Sequence, residues 1–249
     1  MKAMILAAGL GTRLRPLTDS CPKALVELSG RTLLEITVTR LRSQGVTELM
    51  VNIHHFADPI LDFLKSKNNF GMRIEISRED LLLDTGGGLR KASWFFLEDP
   101  NRLDEPFLLH NVDVVSTIDL LRMIESHKKS QALATLAVQH RDSSRHLLFD
   151  QHLQLSGRRI RKRGEDESLE IVRNIEPLEP LAFSGIHVLS PRLLPLIGQT
   201  GVFSIIDTYL QLAAQNQKIF AFRADQYYWR DLGRPSDLAQ AAKDFPPEA

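Results

Sequence analysis

Three cations, Arg13, Arg15 and Lys23, sit in one stretch, LAAGLGTRLRPLTDSCPKAL (residues 6–25), which also carries Gly9, Gly11, Pro16 and Pro22. Glycines let backbone N–H groups approach phosphate oxygens with no Cβ in the way. Arginine presents a planar fork to several oxygens and lysine a compact point charge, so the set suits a polyphosphate with one reacting phosphorus. Two familiar phosphate loops fail on the letters. A dinucleotide fingerprint needs a glycine where Leu14 stands, and a P-loop needs Gly-Lys-Ser/Thr where the chain has Gly11-Thr12-Arg13.

Further candidates follow. Asp113, in His110-Asn111-Val112-Asp113, follows an apolar run and suits Mg²⁺, which takes one or two protein carboxylates and leaves its other positions to phosphate and water. A strand-end aspartate is equally a helix cap, and Ser116-Thr117 lie close behind. Asp231, in Tyr228-Trp229-Arg230-Asp231-Leu232-Gly233, is too distant for spacing to relate it to Asp113. Asp84-Thr85-Gly86-Gly87-Gly88 opens a helix, where bare backbone can lie against a planar base and free N–H groups can read its edge; such a run is also an ordinary turn. Gly185, in Phe183-Ser184-Gly185-Ile186, interrupts an apolar strand, which costs stability unless something approaches closely. The run Arg158–Arg163, answered by Glu165, Asp166, Glu167 and Glu170, reads as a solvated hairpin tip rather than a phosphate clamp. His54-His55 with Asp58 is not a zinc site, because neighbours on a strand point to opposite faces. Cys21, near Lys23, is expected to have a lowered thiol pKa and to be oxidisable.

Positioning these groups requires a framework, and the apolar pattern supplies one. Short runs suited to buried strands (3–8, 48–53, 73–76, 106–110, 132–138) alternate with amphipathic segments (32–44, 59–67, 88–96, 117–128). That alternation predicts an α/β fold with a mostly parallel central sheet and helices on both faces, whose carboxyl edge holds the glycine-rich loop. Later, 146–150 and 151–155 read as a short hairpin, 181–189 as a long strand, 204–215 as a helix, 219–224 as a last strand, and a closing helix starts near Pro235. One domain is expected, with a β-rich second lobe after about residue 139.

Composition bounds the partners. With 249 residues, 43% hydrophobic, and 31 basic against 31 acidic side chains, the chain has no overall attraction to nucleic acid or anionic membrane. No membrane span or signal-peptide core is expected, because no run approaches about 20 apolar residues and the run after Met1-Lys2 is short. A lone cysteine excludes an intrachain disulfide and fits a reducing, cytoplasmic setting.

The loop Gly9-Leu10-Gly11-Thr12-Arg13-Leu14-Arg15-Pro16-Leu17-Thr18, with Pro22-Lys23 behind it, resembles the signature of the sugar-1-phosphate nucleotidyltransferases (NDP-sugar pyrophosphorylases). The resemblance runs over nearly the whole chain. In its compact length, without a C-terminal β-helix, the chain is similar to the N-acetylmuramate, mannose and heptose 1-phosphate transferases. The resemblance implies a Rossmann-like, GT-A-like fold, Mg²⁺ as cofactor, and a nucleoside triphosphate and a sugar 1-phosphate as substrates. It implies that Ala7, Ala8, Gly9, Gly11, Thr12, Arg13, Gly86, Gly87 and Asn111 bind the nucleotide. Arg13 would hold its outer phosphates and Lys23 the α-phosphate, the two catalytic cations. It pairs Asp113 with Asp231 at the metal and puts Ser184 and Gly185 on the sugar. Two departures stand out. Val112 replaces the glycine of the usual Asn-Gly-Asp, and Ile175-Glu176-Pro177 lacks the lysine of the Glu-Lys-Pro element that touches the sugar phosphate. Guanylyl and uridylyl transfer are both open, as are a choline-phosphate-type transferase and a non-catalytic nucleotide-binding paralogue.

Overall fold

The computed structural model describes residues 1–161, 164 and 166–244. β1 (Lys2–Leu6) runs into the cationic loop, then a small hairpin, β2 (Glu27–Leu28) and β3 (Arg31–Thr32), and α1 (Leu33–Ser43). β4 (Glu48–Ile53), α2 (Ala57–Ser66) and β5 (Arg73–Arg78) follow, then α3 (Asp84–Lys91), α4 (Ser93–Leu97), β6 (Phe107–Asn111), β7 (Val114–Ser116) and α5 (Leu120–Ser130). The later strands are β8 (Ala134–Gln139), β9 (Arg145–Phe149), β10 (Leu155–Ile160), β11 (Ser168–Ile171) and β12 (Glu179–Leu189). α6 (Ile205–Ala214), β13 (Ile219–Arg223), β14 (Trp229–Asp231) and α7 (Pro235–Asp244) close the chain.

The fold is mixed α/β around one sheet of order β11-β10-β9-β12-β6-β1-β4-β5, with β8 beside β12 and β13 beside β8. Its centre is parallel: β1 sits between β4 and β6, with Ala3 opposite both Leu49 and Leu108. Both faces of this centre are covered, so its strands are apolar throughout rather than alternating. Ala3, Ile5, Leu49, Val51 and Leu108 face one cluster with α1 and α2, whereas Met4, Met50, Phe107 and Leu109 face another with α3, α4 and α6. The long antiparallel β12 joins this centre to the β9–β11 meander.

Local chemistry sets the helix starts. Thr32, Asp119 and Ser204 are N-caps whose side chains accept from Glu35 N, Arg122 N and Ile206 N, each such cap contributing about 1 kcal/mol. Among the described residues no helix is long and apolar enough to cross a membrane.

Two local expectations are corrected. Residues 151–154 form a turn, not a strand: Asp150 Oδ1 accepts from His152 N (2.9 Å) and Gln154 N (3.0 Å), and its Oδ2 accepts from Arg173 (2.9 Å). The basic run therefore begins inside β10. Arg158 and Arg159 lie in that strand, Arg158 paired with Glu170 (2.7 Å) and Asp207 (2.5 Å); Lys162, Arg163 and Glu165 lie outside the described residues. The helix expected over 88–96 starts earlier, at Asp84, and is broken at Ala92 between α3 and α4.

Candidate active site

The cationic loop leaves β1 at the carboxyl edge of the parallel strands. Ala7 N–H donates to Asn52 Oδ1 on the neighbouring β4 (2.7 Å), which fixes the loop's first step. Gly11 has φ +65, and a Cβ there would lie 2.9 Å from Thr18 Cγ2 and 3.1 Å from Lys23 Cβ. Its carbonyl accepts from Leu14 N and Thr18 Oγ1 (both 2.8 Å), and Leu14 is buried as the anchor of a single 3₁₀ turn. The loop is thus folded onto itself, with Lys23 packed against the bare face of Gly11. A second 3₁₀ turn, Lys23–Leu25, starts at Lys23, whose ammonium forms an ion pair with Asp113.

The two acids meet through β7 and β14, an antiparallel pair apart from the main sheet. Asp231 is opposite Val114, and Leu232 N donates to Asp113 O (2.8 Å). Asp231 Oδ1 accepts from Gly233 N (2.6 Å), and Arg13 Nη2 is 3.8 Å away. A Cβ on Gly233 would press on both groups and displace the Arg13 guanidinium and the Asp231 carboxylate. Burial and then the negative charge of Asp113 push the Asp231 pKa up, against the pull of Gly233 N–H, Lys23 and Arg13. Arg40 on α1 anchors the strand pair from behind through Ser116 Oγ (2.6 Å) and Ile118 O (2.5 Å), and burial lowers its pKa to about 10.

Two cavities open on this point and share Asn111. The smaller, about 350 Å³, is walled by Ala8, Gly9, Lys23, Asp84, Thr85 and Asp113, among others. The larger, about 1000 Å³, has Arg13, Arg141, Phe183, Gly185, Trp229 and Asp231 in its wall. Gly185 (φ +73) backs onto Asn111: a Cβ would sit 2.8 Å from Asn111 Nδ2. His110 donates from Nδ1 to Asn111 O (2.7 Å), and burial holds its pKa at about 3, so the ring is neutral.

Several expected residues have other positions. Gly86 and Gly87 are absent from both cavity walls: their N–H groups donate to Phe203 O (3.0 and 3.3 Å), and a Cβ would strike the Phe203 ring or Gly201 O. They serve the packing of α3 against residues 201–205, and Asp84 and Thr85 face the smaller cavity instead. Ser184 is fully buried off the wall; its carbonyl accepts from Trp229 Nε1 (2.7 Å). Thr12 is exposed and Ala7 buried, neither in a wall. Val112 replaces the expected glycine without strain, because its side chain joins the core and its N–H donates to Leu6 O (3.1 Å). The expected low pKa of Cys21 is overturned: burial and Glu27 both raise it.

Sequence reasoning missed Asn52 and Glu79. Asn52 Nδ2 donates to buried Glu79 Oε1 (2.7 Å), and Glu79 Oε2 accepts from Leu83 N (2.9 Å), which ties the phosphate-suited loop to the glycine-rich turn. The signal was an amide inside the apolar run of β4.

A Rossmann-like sheet with a cationic loop at its carboxyl edge and two acids facing it defines a GT-A-like nucleotidyltransferase architecture. The Nucleotidyl transferase family model matches residues 2–150, and the chain belongs to that family. It is 31% identical to the mannose-1-phosphate guanyltransferase of Yarrowia lipolytica over 246 residues, covering 96% of this chain and 62% of that protein, so it spans less than two thirds of that relative. It is also 31% identical to the N-acetylmuramate alpha-1-phosphate uridylyltransferase of Caulobacter vibrioides over 252 residues, covering 97% of this chain and 96% of that one. The crystal structure of HddC from Yersinia pseudotuberculosis shares the fold, with a TM-score of 0.74 at 24% identity over 98% of this chain and 99% of that one.

Proposed function

We propose that the chain joins a nucleoside triphosphate to a sugar 1-phosphate, giving an NDP-sugar and pyrophosphate in a cytoplasmic setting. The observation that carries this reading is the convergence of Arg13, Lys23, Asp113 and Asp231 where two cavities share Asn111. The smaller cavity suits the nucleoside and the larger the sugar. Relatives named as guanyl- and uridylyltransferases of sugar 1-phosphates support the same chemistry.

The acceptor's second phosphate pKa is about 6, so its oxygen is already ionised at neutral pH and no general base is needed. The obstacle is bringing two polyanions together in line. Lys23, half-withdrawn between Gly11 and Asp113, meets the α-phosphate, and Arg13, more exposed, meets the departing pyrophosphate. Asp113 and Asp231 fit Mg²⁺: they are hard oxygen donors, close enough for one to raise the pKa of the other. Among the described residues no third His, Cys, Asp or Glu joins them, which leaves positions for phosphate and water. Bound there, Mg²⁺ would supply charge neutralisation and alignment. Gly9, with open space where its Cβ would be, and Ala8 let the nucleoside lie against backbone, while Gly185, its bare face packed on Asn111, holds that amide between the two cavities.

The test is pyrophosphate release by the purified chain with Mg²⁺, each nucleoside triphosphate, and mannose, glucose or N-acetylmuramate 1-phosphate, with choline phosphate as a further acceptor. Release with one sugar 1-phosphate, abolished by chelation, is expected. Nucleotide binding with no release in any pairing would overturn catalysis in favour of a binding domain, and release with choline phosphate alone would reassign the acceptor.

A further inference from the structure

A site that joins two polyanions needs a cation on the acceptor's side as well. Several arginines line the larger cavity, and their partners sort them. Arg158 is held by Asp207 and Glu170. Arg230 is held by the Tyr228 hydroxyl (3.1 Å), with Asp237 and Asp244 at 3.8 and 3.6 Å. Arg145 and Arg234 are exposed, where water and salt screen them. Arg13 stands 3.8 Å from Asp231, and the proposed function already gives it the departing pyrophosphate.

Arg141 differs from all of these. It is half-buried, its guanidinium lies 3.7 Å over the Trp229 ring, and one Nη2–H donates to Phe183 O (2.7 Å). Among the described residues no carboxylate lies within ion-pair distance of it, Asp231 acting on it only from farther off, and its Nε is buried with no acceptor. The stack fixes the plane of the fork before any ligand arrives, so little rotamer freedom is lost on binding. Trp229 is itself held through Nε1 on Ser184 O and lies in β14 two residues before Asp231, so the fork is tied to the acid pair. His146 Nε2 donates to Arg141 O (3.2 Å), which holds the backbone of Arg141 in the same wall. A half-buried guanidinium in the cavity wall, fixed in plane by a ring and a carbonyl and with no carboxylate within ion-pair distance, is suited to an anionic ligand.

We infer that Arg141 grips the phosphate of the sugar 1-phosphate, stacked on Trp229 and facing Asp231 across the larger cavity. This assignment rests on the transferase reading and supplies the acceptor-phosphate cation that Ile175-Glu176-Pro177 does not. Loss of a charged hydrogen-bonding partner costs about 1.5–3 kcal/mol, or about 10- to 100-fold in affinity.

The experiment is steady-state kinetics of wild type, Arg141→Gln and Arg141→Lys with the triphosphate and sugar 1-phosphate that the pyrophosphate assay selects, beside thermal melts. The expected result is a KM for the sugar 1-phosphate raised about 10- to 100-fold in R141Q, a KM for the triphosphate within about twofold of wild type, and partial recovery in R141K. An unchanged sugar 1-phosphate KM in R141Q overturns the assignment. So does an equal rise in both KM values with a lowered melting temperature in R141Q and R141K alike, since that marks a purely structural arginine. A wild type that turns over no sugar 1-phosphate overturns the transferase reading and this inference with it.

Discussion

At the scale of single residues, the site holds two carboxylates in mutual repulsion inside a partly dry setting. Asp231 carries the raised pKa, so protonation favours the folded form, and its contribution to stability is lost as pH rises through that raised value. An ionised Asp231 is therefore a liability to the metal-free fold. Asp231→Asn keeps the Oδ1 acceptor for Gly233 N and removes the charge: in chelator its melting temperature should equal or exceed that of wild type, while turnover falls about 100-fold or more. Asp113→Ala should lose turnover equally, and near-normal rates in either variant would remove that acid from the metal. Gly11→Ala tests the loop. A non-glycine residue at φ +65 costs about 1–2 kcal/mol, about 2–8 °C in melting temperature, and the new methyl presses on Lys23 Cβ. Turnover should then drop by up to about a hundredfold, more than the fold destabilisation accounts for; wild-type rates would show that Lys23 needs no such support.

At the scale of elements, α3 is positioned by its glycines rather than by its apolar face. Gly87→Ala should cost about 1–3 kcal/mol, because Gly201 O and Leu83 Cβ (2.9 Å) occupy the space a methyl needs. A melting curve with an unchanged nucleotide KM would separate this packing role from contact with the base. The same element shows the limits of the letters. A glycine reads identically whether its bare face meets a ligand or another stretch of chain, so Gly86 and Gly87 could not be told from Gly9, which faces open space. The parallel strands were legible, because a strand buried on both faces is apolar at every position, as Lys2–Leu6 and Glu48–Ile53 are apart from their ends and Asn52. The β9–β10 turn was not: residues 151–155 read as the second strand of a hairpin, and the bonds of the Asp150 carboxylate decided otherwise. The loop cations could be read from their types. The meeting of Asp113 with Asp231 could not, because it depends on which strands pair.

At the scale of the whole molecule, three buried histidines are neutral and opposed to acid. Burial holds His110 and His187 at about 3 and His127 at about 4, from an ordinary 6.5, with His127 bonded to Thr135 Oγ1 (2.9 Å) and His187 to the Tyr209 hydroxyl (2.8 Å). Depressed pKa values mean that the unfolded chain binds these protons first. Stability should therefore fall as pH drops from about 6.5 towards 4, by up to about 1.4 kcal/mol per pH unit for each histidine. Urea midpoints at pH 7 and pH 5 check this, and His127→Gln should flatten the slope by one proton. Equal midpoints at the two pH values would place those rings in contact with solvent.

The β7–β14 pairing has a consequence for synthesis of the protein. The cationic loop, Asp113 and all four central parallel strands emerge from the ribosome well before Asp231, which arrives only after β13 has been laid down. A nascent or truncated product ending short of that point holds one acid where the complete fold holds two. On the proposed function, a fragment of that kind lacks half of the ligand pair and should release no pyrophosphate.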